Sequence, residues 1–171
     1  MNANASLSRR PPRRFWGWGL ADAALDPRER AIVQAMLASV GTHFEDKPAP
    51  RVEEIDLPLP RVTPPATLAA CFSASPLDRL NHSAGKSYAD CARMWLRRPP
   101  SAPDWVAFPD DEQAIVDILD WAQAGNVAVI PYGGGSSVCG GVEAAVGFVD
   151  LNGNVGHEKN FVPSKGTITL I

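Results

Sequence analysis

Cysteine is scarce, and what there is does not pair: Cys71, Cys91 and Cys139 are odd in number and far apart. That excludes a disulfide framework and gives no zinc-knuckle spacing, so a reducing, cytoplasmic setting is the expectation. No apolar run approaches a membrane span, and the first twenty residues lack the apolar centre of a signal peptide. Positive charge is not in excess either. The 16 Lys and Arg are outnumbered by 19 Asp and Glu, for a net charge of −3, so no nucleic-acid surface is expected. The most telling shortage is local: no Lys or Arg occurs between Val127 and Glu158. An anion bound there would have to be held by backbone dipoles and hydroxyls.

That cation-free stretch is also the richest in glycine. Val127-Ala128-Val129-Ile130 reads as a buried strand, Pro131 stops it, and Tyr132 leads into Gly133, Gly134, Gly135, Ser136, Ser137, Gly140 and Gly141. Glycine loses the most freedom on ordering. A run this dense therefore implies backbone conformations closed to other residues, or close approach of a ligand. Two phosphate loops can be rejected. Gly135 and Gly140 have P-loop spacing, but Gly141 and Val142 stand where Lys and Ser/Thr are required. Gly133-x-Gly135 begins a dinucleotide fingerprint, but Val138 takes the third glycine position, and the following Gly147–Leu151 reads as another strand.

The run Pro131-Tyr132-Gly133-Gly134-Gly135-Ser136-Ser137-Val138-Cys139-Gly140-Gly141 resembles the pyrophosphate loop of FAD-linked oxidases of the vanillyl-alcohol oxidase (PCMH-type) superfamily. Their pattern is roughly P-x-G-G-G-T-S-V-x-G-G; Ser136 replaces the usual Thr and keeps its hydroxyl. Two further stretches are similar to the alkyldihydroxyacetonephosphate synthase and D-lactate dehydrogenase branch. They are the aromatic Phe15-Trp16-Gly17-Trp18-Gly19 and the run His82-Ser83-x-Gly85-x-Ser87-Tyr88-x-Asp90. The resemblance is strongest from about Leu80 to Leu151. It implies FAD as cofactor, contacted by Pro131 through Ser137 with Gly140 and Gly141. The loop has no His, as covalent relatives often have, so the flavin is expected to be non-covalent. A small-molecule substrate is implied: a dihydroxyacetone phosphate ester in the synthase reading, a 2-hydroxy acid in the dehydrogenase reading. The family's catalytic residues lie beyond Ile171, so none is assigned here, and no metal site is expected. A missing C-terminal half or a homodimer is the partner expected, and a non-catalytic remnant or interaction module is the contrasting reading.

The fold class expected is α+β: an N-terminal arm over residues 1–75, then the first α/β subdomain of a PCMH-type FAD-binding domain over 76–171, truncated. Arg9, Arg10, Arg13 and Arg14 read as a solvated basic tail. The aromatic cluster after them is expected to dock on the body or on a partner. Asp26-Pro27-Arg28-Glu29 starts a helix whose stripe Ile32, Val33, Met36, Leu37 and Val40 is expected on the core, with Gly41 as its stop and His43 as a cap. Six prolines between Glu45 and Ala70 predict an extended arm. Ser87 and Asp90 predict a capping box. His82 and Lys86 precede it in a loop near cofactor or substrate, with a hydrogen-bonded loop histidine as the plainer reading of His82. Arg93, Arg97 and Arg98 read as a solvated helix end rather than a substrate clamp. Next come a strand at 103–109, a helix capped by Asp110 with Ile115, Ile118, Leu119 and Ala122 buried, and the strand at Val127: a β-α-β unit with the glycine loop at a strand's carboxyl end. Thr167-Ile168-Thr169-Leu170 reads as a half-buried strand that leaves an unpaired edge.

Overall fold

A computed structural model describes residues 11–24, 26–42, 47–143 and 165–171. The expected strand at 147–151, the turn at 152–154, the exposed His157 and Lys159, the His43 cap, and Arg9 and Arg10 of the tail lie outside the described residues. Four helices and a four-stranded sheet make up the regular structure of the described residues, a mixed α and β architecture of the class expected.

The β-α-β unit is present. Strand β2 (Trp105–Ala107), helix α4 (Glu112–Gly125) and strand β3 (Val127–Pro131) follow one another. The cap is Asp111 rather than Asp110: its side chain accepts from the Ala114 amide at 2.8 Å, one residue later than expected. Ile118 and Ala122 carry the buried stripe, while Ile115 and Leu119 sit exposed on the flank. Asn126, left-handed at φ 53°, ends the helix so that Val127 can enter the sheet at once.

The final strand, β4 (Gly166–Leu170), inserts between β2 and β3 and pairs in parallel with both. With the short β1 (Phe72–Ser73) antiparallel to β2, the order is β1-β2-β4-β3. This corrects two expectations. The last strand is not half-buried, because Gly166 through Thr169 are all buried, and it does not offer an unpaired edge, because it is central. A central strand covered on both faces carries no readable polar alternation. Ile168 packs with Phe72, Ala107, Ile118, Ala122 and Val127 beneath α4. By alternation Thr167 and Thr169 face the other side.

Among its described residues the proline-rich arm has two 3-10 segments, at Val52–Glu54 and Ala66–Cys71. It is tied down by charge. Arg61 donates through Nε and Nη2 to the Asp104 carboxylate, at 3.1 and 2.8 Å, while the Arg61 and Thr167 amides donate to the same carboxylate at 2.8 and 2.7 Å. One side chain thus joins the arm, the start of β2 and the start of β4. The buried Arg79 donates to the Pro103 and Pro58 carbonyls at 2.7 and 2.9 Å. It comes from a helix the sequence reading did not anticipate, α2 (Pro76–Asn81).

Helix α1 (Pro27–Ser39) forms as its signals say, with Asp26 accepting from the Arg28 amide at 2.7 Å and Gly41 at φ +74°. Its apolar stripe, expected on the core, is instead exposed at Ile32, Val33, Met36 and Val40. Local signals fixed the helix; none of the described residues covers it. The docking of the aromatic cluster on the body is observed. Phe15 is buried with Ile55, Leu80, Ala84 and Met94, and the Trp16 ring meets Trp95 edge-on at 5.0 Å.

Burial alone would raise the Asp104 carboxyl, but the donors from Arg61 and Thr167 outweigh it and hold the group below the usual carboxylate range. A depressed folded value means that the stabilisation is complete above the unfolded value of about 3.9 and is lost as pH falls through the folded one. Asp104→Asn should therefore cost about 2 kcal/mol at neutral pH, with the deficit shrinking in acid. Urea midpoints at pH 7 and pH 3 check this, and an equal deficit at both would contradict it.

Candidate functional site

Helix α3 (Tyr88–Trp95) begins with the expected capping box: Ser87 Oγ accepts from the Asp90 amide and Asp90 accepts from the Ser87 amide, both at 3.0 Å. This fixes where the 82–87 segment leaves the helix, and that segment supports the glycine loop. The Lys86 amide donates to the Ser137 carbonyl at 2.7 Å. Gly85 lies flat against the same carbonyl, which a β-carbon at position 85 would strike. Only glycine permits this approach.

Tyr132 forms the second support. Its amide donates to the Leu170 carbonyl at 2.8 Å, extending the β3–β4 ladder by one residue. Its buried ring turns inward, and the hydroxyl donates to the Asn81 carbonyl at 2.9 Å. Burial pushes the phenol up to about 12, so it serves as a neutral donor. Gly135, at φ +71°, folds back over this ring, and a β-carbon there would collide with the Tyr132 ring and hydroxyl.

The predicted residues therefore divide into two groups. Tyr132 and Gly135 are buried and hold the loop to the body; Pro131 ends β3. Gly133, Gly134 and Ser136 are exposed, and a β-carbon on Gly133 or Gly134 would meet nothing within 4 Å. Among the described residues, none of the amides from Gly133 to Ser136 donates to a backbone carbonyl. Ser137 Oγ lies 3.6 Å from Cys139 Sγ, a contact that with the Gly141 amide lowers the thiol below its ordinary value. Gly140 takes φ +77° in the turn that brings Glu143 back. Arg93 closes the far end, donating to Glu143 at 2.7 Å and to Asp90 at 2.5 Å.

Other residues with a suspected ligand role are engaged in structure. His82 Nδ1 lies 2.7 Å from the Asp78 carbonyl, and its ring stands edge-on to Tyr132 and Phe108, as the plainer reading holds. Arg97 pairs with Glu54 at 3.0 Å. The Lys86 ammonium donates to the Arg14 and Phe15 carbonyls at 3.2 and 3.0 Å, and burial lowers it. Beside Gly133 and Gly134 lies a cavity of about 600 Å³, whose wall also includes Arg13, Gly17 and Trp18. The sequence reading missed this wall, because it depends on a hairpin folding back across the body. The described residues hold no group of three or more His, Cys, Asp or Glu fit to take a metal, and no helix among them is long and apolar enough to cross a membrane.

Because Gly85 sits against Ser137, Gly85→Ala should push the loop off its support and lower stability by about 1–3 kcal/mol. A thermal melt tests this, and an unchanged midpoint would show that the loop is not seated on residue 85.

No protein-family model matches the chain. Among curated proteins it is similar to alkyldihydroxyacetonephosphate synthase of Trypanosoma brucei brucei, 43% identical over 65 residues, which are 38% of this chain and 11% of that one. With the Dictyostelium discoideum synthase it shares 30% over 107 residues, 58% of this chain and 18% of the relative. With that of Caenorhabditis elegans it shares 37% over 67 residues, 39% and 11% respectively. Two solved structures of alkyldihydroxyacetonephosphate synthase superpose on 92% of this chain with TM-scores of 0.66 and 0.65, at 19% and 20% identity, matching 31% and 32% of their own length. The chain thus spans less than a fifth of the curated relatives' length and about a third of the solved chains. Over part of its length the chain is thus similar in sequence to alkyldihydroxyacetonephosphate synthases, and over most of it the chain has the fold of part of the solved synthase structures.

Proposed function

We propose that this chain forms the pyrophosphate-binding part of an FAD-dependent, alkyldihydroxyacetonephosphate-synthase-like enzyme, and that it holds the flavin non-covalently. One observation carries the reading. At the carboxyl end of β3, Gly133 and Gly134 leave open space where side chains would stand, while their amides have no backbone acceptor among the described residues. That is a cradle of donors with room for a ligand to approach the main chain. Tyr132 through Val142 contain no carboxylate to repel an anion. The donor set fits a pyrophosphate.

In this reading the amides of Gly133 to Ser136 bind the pyrophosphate oxygens and the hydroxyls of Ser136 and Ser137 add donors. Tyr132 and Gly135 keep the donors from turning inward, and Arg93 with Glu143 closes the loop's far end. When bound, FAD supplies the isoalloxazine ring on which an acyl group of a dihydroxyacetone phosphate ester is exchanged for an alkyl ether without net redox change. The contribution of the described residues is to bind and orient. The three free cysteines suit the cytoplasmic setting proposed with it. The substrate-facing residues belong to a part of the enzyme supplied by further chain or by a second copy.

The two glycine groups separate binding from stability. Gly134→Val should reduce FAD affinity at least about tenfold with an unchanged thermal midpoint, since only the ligand needs that space. Gly135→Val should lower the midpoint as well, because it meets Tyr132 at a positive φ. Isothermal titration with FAD and a melt of each variant make the comparison; full FAD affinity in Gly134→Val would sink the site.

A further inference from the structure

A pyrophosphate carries at least two negative charges, and the loop proposed to hold it has no cation of its own from Val127 to Glu158. Amide dipoles supply only partial charge. Any full positive charge added to that cradle comes from another element.

The cavity beside Gly133 and Gly134 has two cations on its walls, Arg13 and Lys86. Lys86 is occupied: its ammonium is held by the carbonyls of Arg14 and Phe15. What it does there is pin the hairpin that carries Arg13. The hairpin is also closed on itself, with a bridge between Arg13 and Leu20, the Arg14 amide donating to the Gly19 carbonyl at 3.2 Å, and the Ala21 amide to the Pro12 carbonyl at 2.8 Å. Phe15, within the hairpin, is buried. Arg13 is solvated, as the sequence alone suggested, but its backbone is fixed in the hairpin and it lines the same cavity as Gly133 and Gly134. Its side chain is exposed and forms no ion pair with a carboxylate of the described residues. Two acids share the cavity. Asp78 is buried and accepts from Ser73 Oγ at 2.6 Å, and Asp110 is exposed.

We infer that Arg13 is the cation of the anion site: the hairpin at 11–20 forms the wall facing Gly133 and Gly134 and lays a guanidinium against the diphosphate of the ligand. The inference rests on the pyrophosphate reading of the loop and adds a binding residue from the opposite end of the chain. A guanidinium presents paired donors to phosphate oxygens, which a neutral side chain of similar length cannot replace.

The test uses the full chain with three probes: FAD, riboflavin, which has the ring but no phosphate, and inorganic pyrophosphate. Arg13→Gln should weaken FAD and pyrophosphate about tenfold or more, leave riboflavin unchanged, and keep the wild-type thermal midpoint. Arg13→Lys should recover part of the loss, and added salt should narrow the gap between wild type and Arg13→Gln. If Arg13→Gln binds FAD and pyrophosphate as the wild type does while Gly134→Val does not, Arg13 is excluded and the loop reading stands. If the wild type takes up pyrophosphate but not FAD, the flavin reading fails, and a loss of pyrophosphate in Arg13→Gln still supports the anion site. If the wild type binds neither, both fall.

Discussion

The hydrogen bond from the Lys86 amide to the Ser137 carbonyl, made possible by the bare α-carbon of Gly85, joins two segments fifty residues apart in sequence. On one side of it the α3 capping box fixes where 82–87 runs; on the other the glycine loop leaves β3. The same Lys86 reaches through its side chain to the Arg14 and Phe15 carbonyls. One residue thus anchors the loop through its backbone and the N-terminal hairpin through its ammonium. The cavity between loop and hairpin exists because both walls are tied to this point. A glycine-rich loop without such supports would collapse into its own hydrogen bonds or sample many conformations, at the entropic cost that makes glycine expensive to order.

Much of the fold was legible because its signals are local. The start of α1 at Asp26-Pro27, the capping box at Ser87 and Asp90, and the apolar run at Val127 each depend on residues within a turn of one another. Where two neighbours offered the same chemistry, as at Asp110 and Asp111, the pattern misplaced the cap by one. Helix α2 was missed because six residues are too short for periodicity to register. Position within the sheet was not legible at all. Thr167-Ile168-Thr169-Leu170 alternates like a strand with one wet face, yet it lies in the centre of the sheet with both threonines buried, and Arg61 of the arm reaches the Thr167 hydroxyl at 3.3 Å. The stripe on α1 shows the converse: an apolar face is a property of the helix, whereas its partner is a property of the fold.

The candidate site was legible as composition but not as architecture. The sequence singles out Pro131 to Gly141 as the candidate ligand loop. It does not reveal that Gly135 serves the chain's own Tyr132 while Gly133 and Gly134 are left open, since all three glycines look alike in a row. Nor can it show that Arg13, read as part of a solvated tail, shares a cavity with them. Charge partners such as Arg61 with Asp104, and Arg93 with Glu143, 43 and 50 residues apart, are equally invisible there. In a mixed fold the groups that hold a site and the groups that face the ligand come from different elements, and only the packing sorts them.

The proposed flavin site depends on the amides of Gly133 to Ser136 being held outward for an anion by Tyr132 and the Gly85–Lys86 support. Amide NMR of the chain during titration with FAD tests it most directly. The prediction is that the Gly133 and Gly134 signals move most and gain protection from exchange, while the Lys86 amide, already bonded to Ser137, barely changes. If the largest changes fall away from the loop, or if Gly133 and Gly134 are protected before any FAD is added, the loop is not the preformed cradle described here.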